Sequence, residues 1–385
     1  MADGLPLISG REFMKIISRF TTVLALSAAM GLAISAGANA ADAVKLGVID
    51  PIKTLIGKQN VEGAQLAADL INKDGGILGG RQVELVVYDT NFSPPEGVSA
   101  VQRLLTQDGV KIVVGEISSS VALAAIPVVE SEDAIFIAAV PKHPDVTDSG
   151  YDKVFRVNST TELDAQSFDK YLLEEIKPEK VALLAENSDF GQVTIDHMKE
   201  VFGDKLVYFD SFGMQQSDFN AIVTNARSSG ATMVCIVGSN MEQYGNILRA
   251  LSELGFTGDR CLMPGILNSQ GVEIAGEAAE GAFSAEIYLP SIDNELNKRF
   301  VTEFEAKHGR QPEKIEVLGF ETVWIAAKAM DEAGTDTDTT KIADTIRAGT
   351  WATPRGDVTF DENGQASSGE LVRIKVADGK IVVAE

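Results

Sequence analysis

The sequence predicts an α/β protein of two lobes, each built on a parallel sheet covered by helices. Three observations predict it. Short apolar runs alternate with amphipathic helical stretches along most of the chain, the pattern of repeated strand-helix-strand units. The runs are apolar on both faces, as strands buried between two helix layers are. The alternation stops after residue 138 and restarts at residue 163, which implies two sheets rather than one. A chain of 385 residues has room for two or three ordinary domains.

Before the first strand, Met14-Lys15-Ile16-Ile17-Ser18-Arg19 supplies a basic start, 23–34 is a short apolar core, and Ala38-Asn39-Ala40 fits a small-x-small cleavage site. Together they predict a secretory signal peptide over 1–40, with residues before Met14 as an upstream extension and Ala41 as the first mature residue. The apolar core is too short for a comfortable membrane span, which needs about 20 residues. No later segment is long and apolar enough to cross, so no membrane insertion is expected after cleavage.

The elements then follow in order. A strand at 44–49 leads to a helix at 60–72, where Val61, Ala64, Leu66, Ala67, Leu70 and Ile71 recur at helical spacing and Asp74-Gly75-Gly76 stops it. Strands at 83–88, 111–114 and 134–138 alternate with helices at 95–106 and 121–129. After the restart, helices at 163–175, 190–201, 218–227 and 241–254 alternate with strands at 181–185, 206–209, 233–237 and 261–263. Near Tyr288-Leu289-Pro290 the pattern changes to three helices, 294–308, 312–333 and 340–348, and the tail from residue 356 reads as strands and turns.

Composition excludes several classes. A 45% hydrophobic content is that of a globular chain. A net charge of −23 repels nucleic acid. Two cysteines, Cys235 and Cys261, leave open a disulfide or two buried free thiols on neighbouring strands. Two thiols and three scattered histidines, His143, His197 and His308, make a zinc site improbable. No nucleophile elbow, phosphate loop, dinucleotide fingerprint or zinc-protease motif is present, so no catalytic residue, metal or cofactor is expected.

In parallel α/β sheets ligands bind outside the C-terminal ends of the strands. The loop after the third strand, Gly115-Glu116-Ile117-Ser118-Ser119-Ser120, opens a helix, so its serines suit either N-capping or a carboxylate. The next loop, Val140-Pro141-Lys142-His143-Pro144, carries a cation that pairs with a ligand acid or lies solvated. In the second half, Asn187 to Gly191, with Phe190, and Gly238-Ser239-Asn240 and Pro264-Gly265-Ile266-Leu267-Asn268 occupy equivalent positions.

These segments resemble a known family. Gly63-Ala64-Gln65-Leu66-Ala67, Ile71-Asn72-Lys73-Asp74-Gly75-Gly76-Ile77-Leu78-Gly79-Gly80, Val87-Tyr88-Asp89, Ser118-Ser119-Ser120 after Val114-Gly115, Gly245-Asn246-Ile247-Leu248-Arg249 and the run from Ile274 to Gly281 are similar to periplasmic leucine/isoleucine/valine-binding proteins over essentially the whole mature chain. The resemblance implies a type I periplasmic binding protein: two Rossmann-like lobes joined by three crossovers, near 156–159, 286–290 and 364–369. It implies lobe 1 as 41–158 plus 289–364, and lobe 2 as 159–288 plus 365–385. It also implies a periplasmic protein that hands a small ligand to an ABC permease of the inner membrane; closure of a cleft needs no partner subunit, so a monomer is expected.

Carried over residue by residue, the ligand carboxylate falls to Ser118, Ser119 and Ser120 with their helix N-terminus, beside Val140. The family's threonine falls on Lys142, its aromatic on Phe190, and its tyrosine on Asn240. The acid that pairs with the ligand ammonium falls on Ile266, and the family's disulfide positions fall on Phe92 and Ser118. Losing that acid and gaining Lys142 favours a small organic acid, a keto acid or an amide over a zwitterion, unless Asp50 or Glu116 supplies a new ammonium partner. The reading is therefore a transport-linked binding protein for an amino acid or related acid. The alternatives are a ligand-sensing module for a membrane receptor and, with no motif to support it, a secreted enzyme.

Overall fold

The computed structural model of the chain describes residues 43–367 and 371–384. The expected signal peptide, 1–40, lies outside the described residues. The first sheet contains β1 (Val44–Asp50), β2 (Val83–Asp89), β3 (Ile112–Gly115), β4 (Ile135–Ala138) and β5 (Val154–Arg156). Its order is β2-β1-β3-β4-β5 and every pairing is parallel. Three of its crossovers are α1 (Leu55–Lys73), α2 (Pro94–Thr106) and α3 (Ser119–Ser131).

After β5 the chain passes to a second sheet. Here α4 (Thr161–Tyr171), α5 (Asp189–Phe202), α6 (Asn220–Ser228), α7 (Met241–Glu253) and α8 (Ser269–Ala275) surround β6 (Val181–Glu186), β7 (Leu206–Phe212), β8 (Met233–Val237), β9 (Asp259–Leu262) and β10 (Phe283–Glu286). The order β7-β6-β8-β9-β10 repeats that of the first sheet. The chain then returns through α9 (Glu295–His308), α10 (Lys314–Ala333), α11 (Thr339–Ala348) and a ribbon of β11 (Trp351–Thr353) and β12 (Gly356–Val358). Phe300, Phe304, Phe320 and Ile346 of these helices join the core of the first sheet. A third passage delivers β13 (Val372–Ala377) and β14 (Lys380–Val383), which extend the second sheet antiparallel from β10. Two lobes joined by three crossovers result.

Details differ from the sequence reading, and one that it left open is settled. The strands β5 and β10 were not anticipated, because each is short and broken by polar residues, Arg156 in one and Ser284 and Glu286 in the other, so neither reads as an apolar run. The first helix begins at Leu55, not at 60, because Thr54 caps it by accepting from the Gly57 N–H at 3.2 Å. Cys235 and Cys261 sit opposite each other on β8 and β9, both buried and both free. Of the two arrangements left open by the sequence, the structure has the pair of free thiols.

The order β2-β1-β3 places a switch point between β1 and β3, and β7-β6-β8 places another between β6 and β8. At such points the two flanking connections leave to opposite faces of the sheet and open a crevice. The loops expected to carry a ligand therefore begin at Asp50, Gly115, Glu186 and Val237, at the C-terminal ends of those strands.

Candidate functional site

The two crevices face one cavity of about 330 Å³, within the size range of small-molecule sites. The first lobe contributes Ile56, Ile117, Ser119, Val140, Lys142, Lys314 and Ile315; the second contributes Phe190, Met241, Tyr244, Ile266 and Glu286. Its walls are mainly apolar, with charged side chains that include Lys142, Glu286, Arg310, Glu313 and Lys314.

Of the eight residues singled out in the sequence, Ser119, Val140, Lys142, Phe190 and Ile266 line this cavity. Ser118, Ser120 and Asn240 do not. Ser118 caps α3, its hydroxyl accepting from the Val121 N–H at 3.4 Å. Asn240 caps α7, its Oδ1 accepting from the Glu242 N–H at 3.0 Å. Ser120 reaches across the cleft and accepts from the Asp189 N–H at 3.1 Å. Ser and Asn are the preferred N-caps, and every strand end at a switch point also starts a helix, so capping and ligand binding leave the same mark on the sequence.

Ser119 is held differently. Its Oγ accepts from the Lys142 N–H at 3.2 Å and from the His143 N–H at 3.3 Å. With both acceptor positions used, the hydroxyl has only its proton to offer. Lys142 is buried as well. Its ammonium is in contact with the Asp164 carboxylate and donates to the Pro264 carbonyl at 2.8 Å. Lys142 follows β4 of the first lobe, whereas Asp164 lies on α4, whose Phe168 belongs to the core of the second lobe. The pair therefore fastens the lobes together. The 2.5 Å bond from Gln59 to Gln270 crosses the same cleft, and the lobes are closed.

Two charged residues that the sequence reading missed complete the polar end. Glu286 ends β10, and Lys314 opens α10. The Lys314 ammonium donates to the Gly265 carbonyl and lies 3.8 Å from Glu286 Oε2. Burial pulls Lys314 down to about 8 and pushes the Glu286 carboxyl up against the pull of the neighbouring lysines. Gly265 has φ +83, and a Cβ there would stand 2.1 Å from Lys314 Nζ and 3.2 Å from Lys142 Nζ. Glycine is therefore what lets both ammonium groups converge on one loop.

A signal for each missed residue was present. A cation at the first position of a helix opposes the helix dipole, and Glu286 would have been a strand-end residue had β10 been recognised. Asp50 and Glu116, by contrast, are buried beneath the 115–118 loop and do not line the cavity. Burial raises both, Glu116 to about 7. Neither lies with Ile266 in the cavity lining.

Residues 43–380 match the family described as periplasmic binding protein. The chain belongs to that family. It is 31% identical over 349 residues to the leucine-, isoleucine-, valine-, threonine- and alanine-binding protein of Pseudomonas aeruginosa, covering 88% of this chain and 91% of that one. Among solved structures it resembles the branched-chain amino acid transporter substrate-binding protein of Streptococcus pneumoniae in complex with isoleucine, at 22% identity and a TM-score of 0.81, covering 89% and 99% of the two chains. A solute-binding protein of R. palustris in complex with benzoate gives 18% identity and a TM-score of 0.80, covering 89% and 95%.

This periplasmic binding protein is thus of the branched-chain amino acid transporter type, and its relatives are solute-binding proteins. Among the described residues no helix is long and apolar enough to cross a membrane, and no group of three or more metal-ligating side chains is arranged to hold an ion. No histidine lines the cavity. The arrangement can enclose a small molecule with an apolar body and present a hydroxyl proton and the Lys314 ammonium to its polar end, the Lys142 ammonium being held by Asp164 and the Pro264 carbonyl.

Proposed function

We propose that this chain is the periplasmic solute-binding component of an ABC importer, a monomer that captures a small carboxylate-bearing ligand between its lobes and presents it to an inner-membrane permease. The observation that carries the ligand class is Ser119. Its oxygen is saturated by two main-chain donors, so it can only donate, and it lies at the first turn of α3, where free N–H groups and the helix dipole favour an anion. The apolar walls suit a hydrocarbon body. Isoleucine and benzoate, the ligands of the two structural neighbours, have in common a carboxylate on such a body.

A thermal-shift screen of the 41–385 chain, unfolded and refolded to strip ligand, tests this. The panel holds amino acids, keto acids, aliphatic and aromatic carboxylates, and the matching primary alcohols and amides. A ligand at 100 times its Kd stabilises by about 2.7 kcal/mol, an easily read shift. At least one carboxylate series is expected to stabilise the protein while its alcohols do not. Stabilisation by alcohols or amides alone would remove the carboxylate reading.

A further inference from the structure

The polar end of the cavity holds one unfilled hydrogen-bonding position. Among the described residues, Glu286 Oε2 is the only buried side-chain oxygen or nitrogen of a cavity-lining residue that has no hydrogen bond. The other candidates are occupied. The Tyr244 hydroxyl donates to Asn268 Oδ1 at 2.8 Å and accepts from the Asn268 N–H at 3.2 Å, and the Lys142 ammonium is held by Asp164 and the Pro264 carbonyl. Glu286 and Lys314 come from opposite lobes and stand 3.8 Å apart, too far for a hydrogen bond with each other. A buried acceptor left without a donor is costly. The position therefore asks for a group that donates to Glu286, and the lysine beside it asks for one that also accepts.

Charge decides which group. An ammonium placed against Glu286 would also meet the Lys314 ammonium, with the Lys142 ammonium beside the same Gly265, and like charges in a closed cleft repel strongly. A second carboxylate would oppose Glu286 and bring it no donor. A hydroxyl or a carboxamide both donates and accepts and carries no charge. Resting on the carboxylate reading of this same cavity, we infer that the ligand carries, besides its carboxylate, an uncharged hydroxyl or carboxamide that bridges Glu286 and Lys314. Burial has already moved these two side chains toward their neutral forms, as suits an uncharged partner. The device differs from ammonium recognition: its selector is a lysine and an acid from opposite lobes, completed only when the lobes close.

The test is an equilibrium titration of the stripped full mature chain with matched ligands. On the 4-methylpentanoate and 3-phenylpropanoate skeletons the plain acid, the 2-hydroxy acid and the 2-amino acid are compared, and succinamate is compared with butanoate. Within at least one series, the hydroxy acid or succinamate is expected to bind about tenfold or more tighter than its plain counterpart, since a site built to hydrogen-bond a hydroxyl rejects the analogue lacking it, and tighter than the amino acid. Glu286→Ala and Lys314→Met should each erase that preference, bringing the ratio of hydroxy-acid to plain-acid affinity to about one, a comparison within each variant that survives a general loss of affinity. Tightest binding of an amino acid overturns the inference. Equal binding of plain and hydroxylated acids also overturns it, because a water then fills the position. If no carboxylate binds at all, the carboxylate reading falls and takes this one with it.

Discussion

Lys142→Met is expected to open the cleft. The ammonium is buried, sits against Asp164 of the other lobe and donates to the Pro264 carbonyl. Removing it leaves the Asp164 carboxylate, 4% exposed, without its cation. Breaking a buried ion pair from one side costs about 3–5 kcal/mol. Because the partners belong to different lobes, that cost falls on the closed state; opening returns Asp164 to water, and each lobe keeps its own core. Small-angle scattering of the variant should give a larger radius of gyration than the wild type, and every ligand should bind more weakly. Acids and amides should lose affinity alike, in contrast to the selective loss that a solvated Lys142 pairing with ligand would give. Lys142→Met combined with Asp164→Leu should close again, since replacing both charges by apolar side chains is often neutral. An unchanged radius for the single variant would show that this pair does not hold the lobes.

Gly63→Ala should destabilise the first lobe although alanine is the better helix former by about 1 kcal/mol. Gly63 on α1 faces α10 so closely that its Cβ would stand 1.8 Å from the Glu316 carbonyl oxygen, and the reciprocal Gly319 would meet the Asn60 carbonyl at 2.1 Å. Both neighbours are backbone and cannot rotate away. The helices must part, loosening the packing around Leu318, Phe320 and Val323. Overpacking of this kind costs roughly 1–3 kcal/mol and at times more, or a fall in Tm of about 2–4 °C per kcal/mol for a lobe of this size. Ligand binding should weaken too, because α1 carries Ile56 and α10 carries Lys314 and Ile315 to the cavity. A Tm equal to or above that of the wild type in circular-dichroism melts would contradict this packing account.

The fold was largely legible because long parallel strands and amphipathic helices announce themselves by period. The runs at 181–185 and 233–237 are apolar throughout and buried throughout. Among the sheet strands, β5 and β10 escaped, their short runs broken by Arg156 and by Ser284 and Glu286, and with β10 went Glu286 as a strand-end residue. The site was legible where a strand end carries an unusual residue, as at Lys142, and ambiguous where it carries Ser or Asn, because these cap helices. Partner choice was not legible. Nothing in the sequence says that Lys142 faces Asp164, 22 residues along the chain, rather than a ligand, since that pairing forms only when two lobes meet. Lys314 was readable in principle as a cation at the start of a helix, a local violation that function often explains.

The central claim is that Ser119 donates to a ligand carboxylate inside the closed cleft, and titrating Ser119→Ala beside the wild type tests it most directly. With the carboxylate that stabilises the wild type, the variant is expected to bind more weakly by about 1–3 kcal/mol, the cost of leaving a buried charged acceptor without its donor, and its Tm without ligand is expected to fall as well, because the Lys142 and His143 N–H groups lose their acceptor. Equal affinity in the two proteins would reduce Ser119 to a support for the 140–143 loop and would contradict the account.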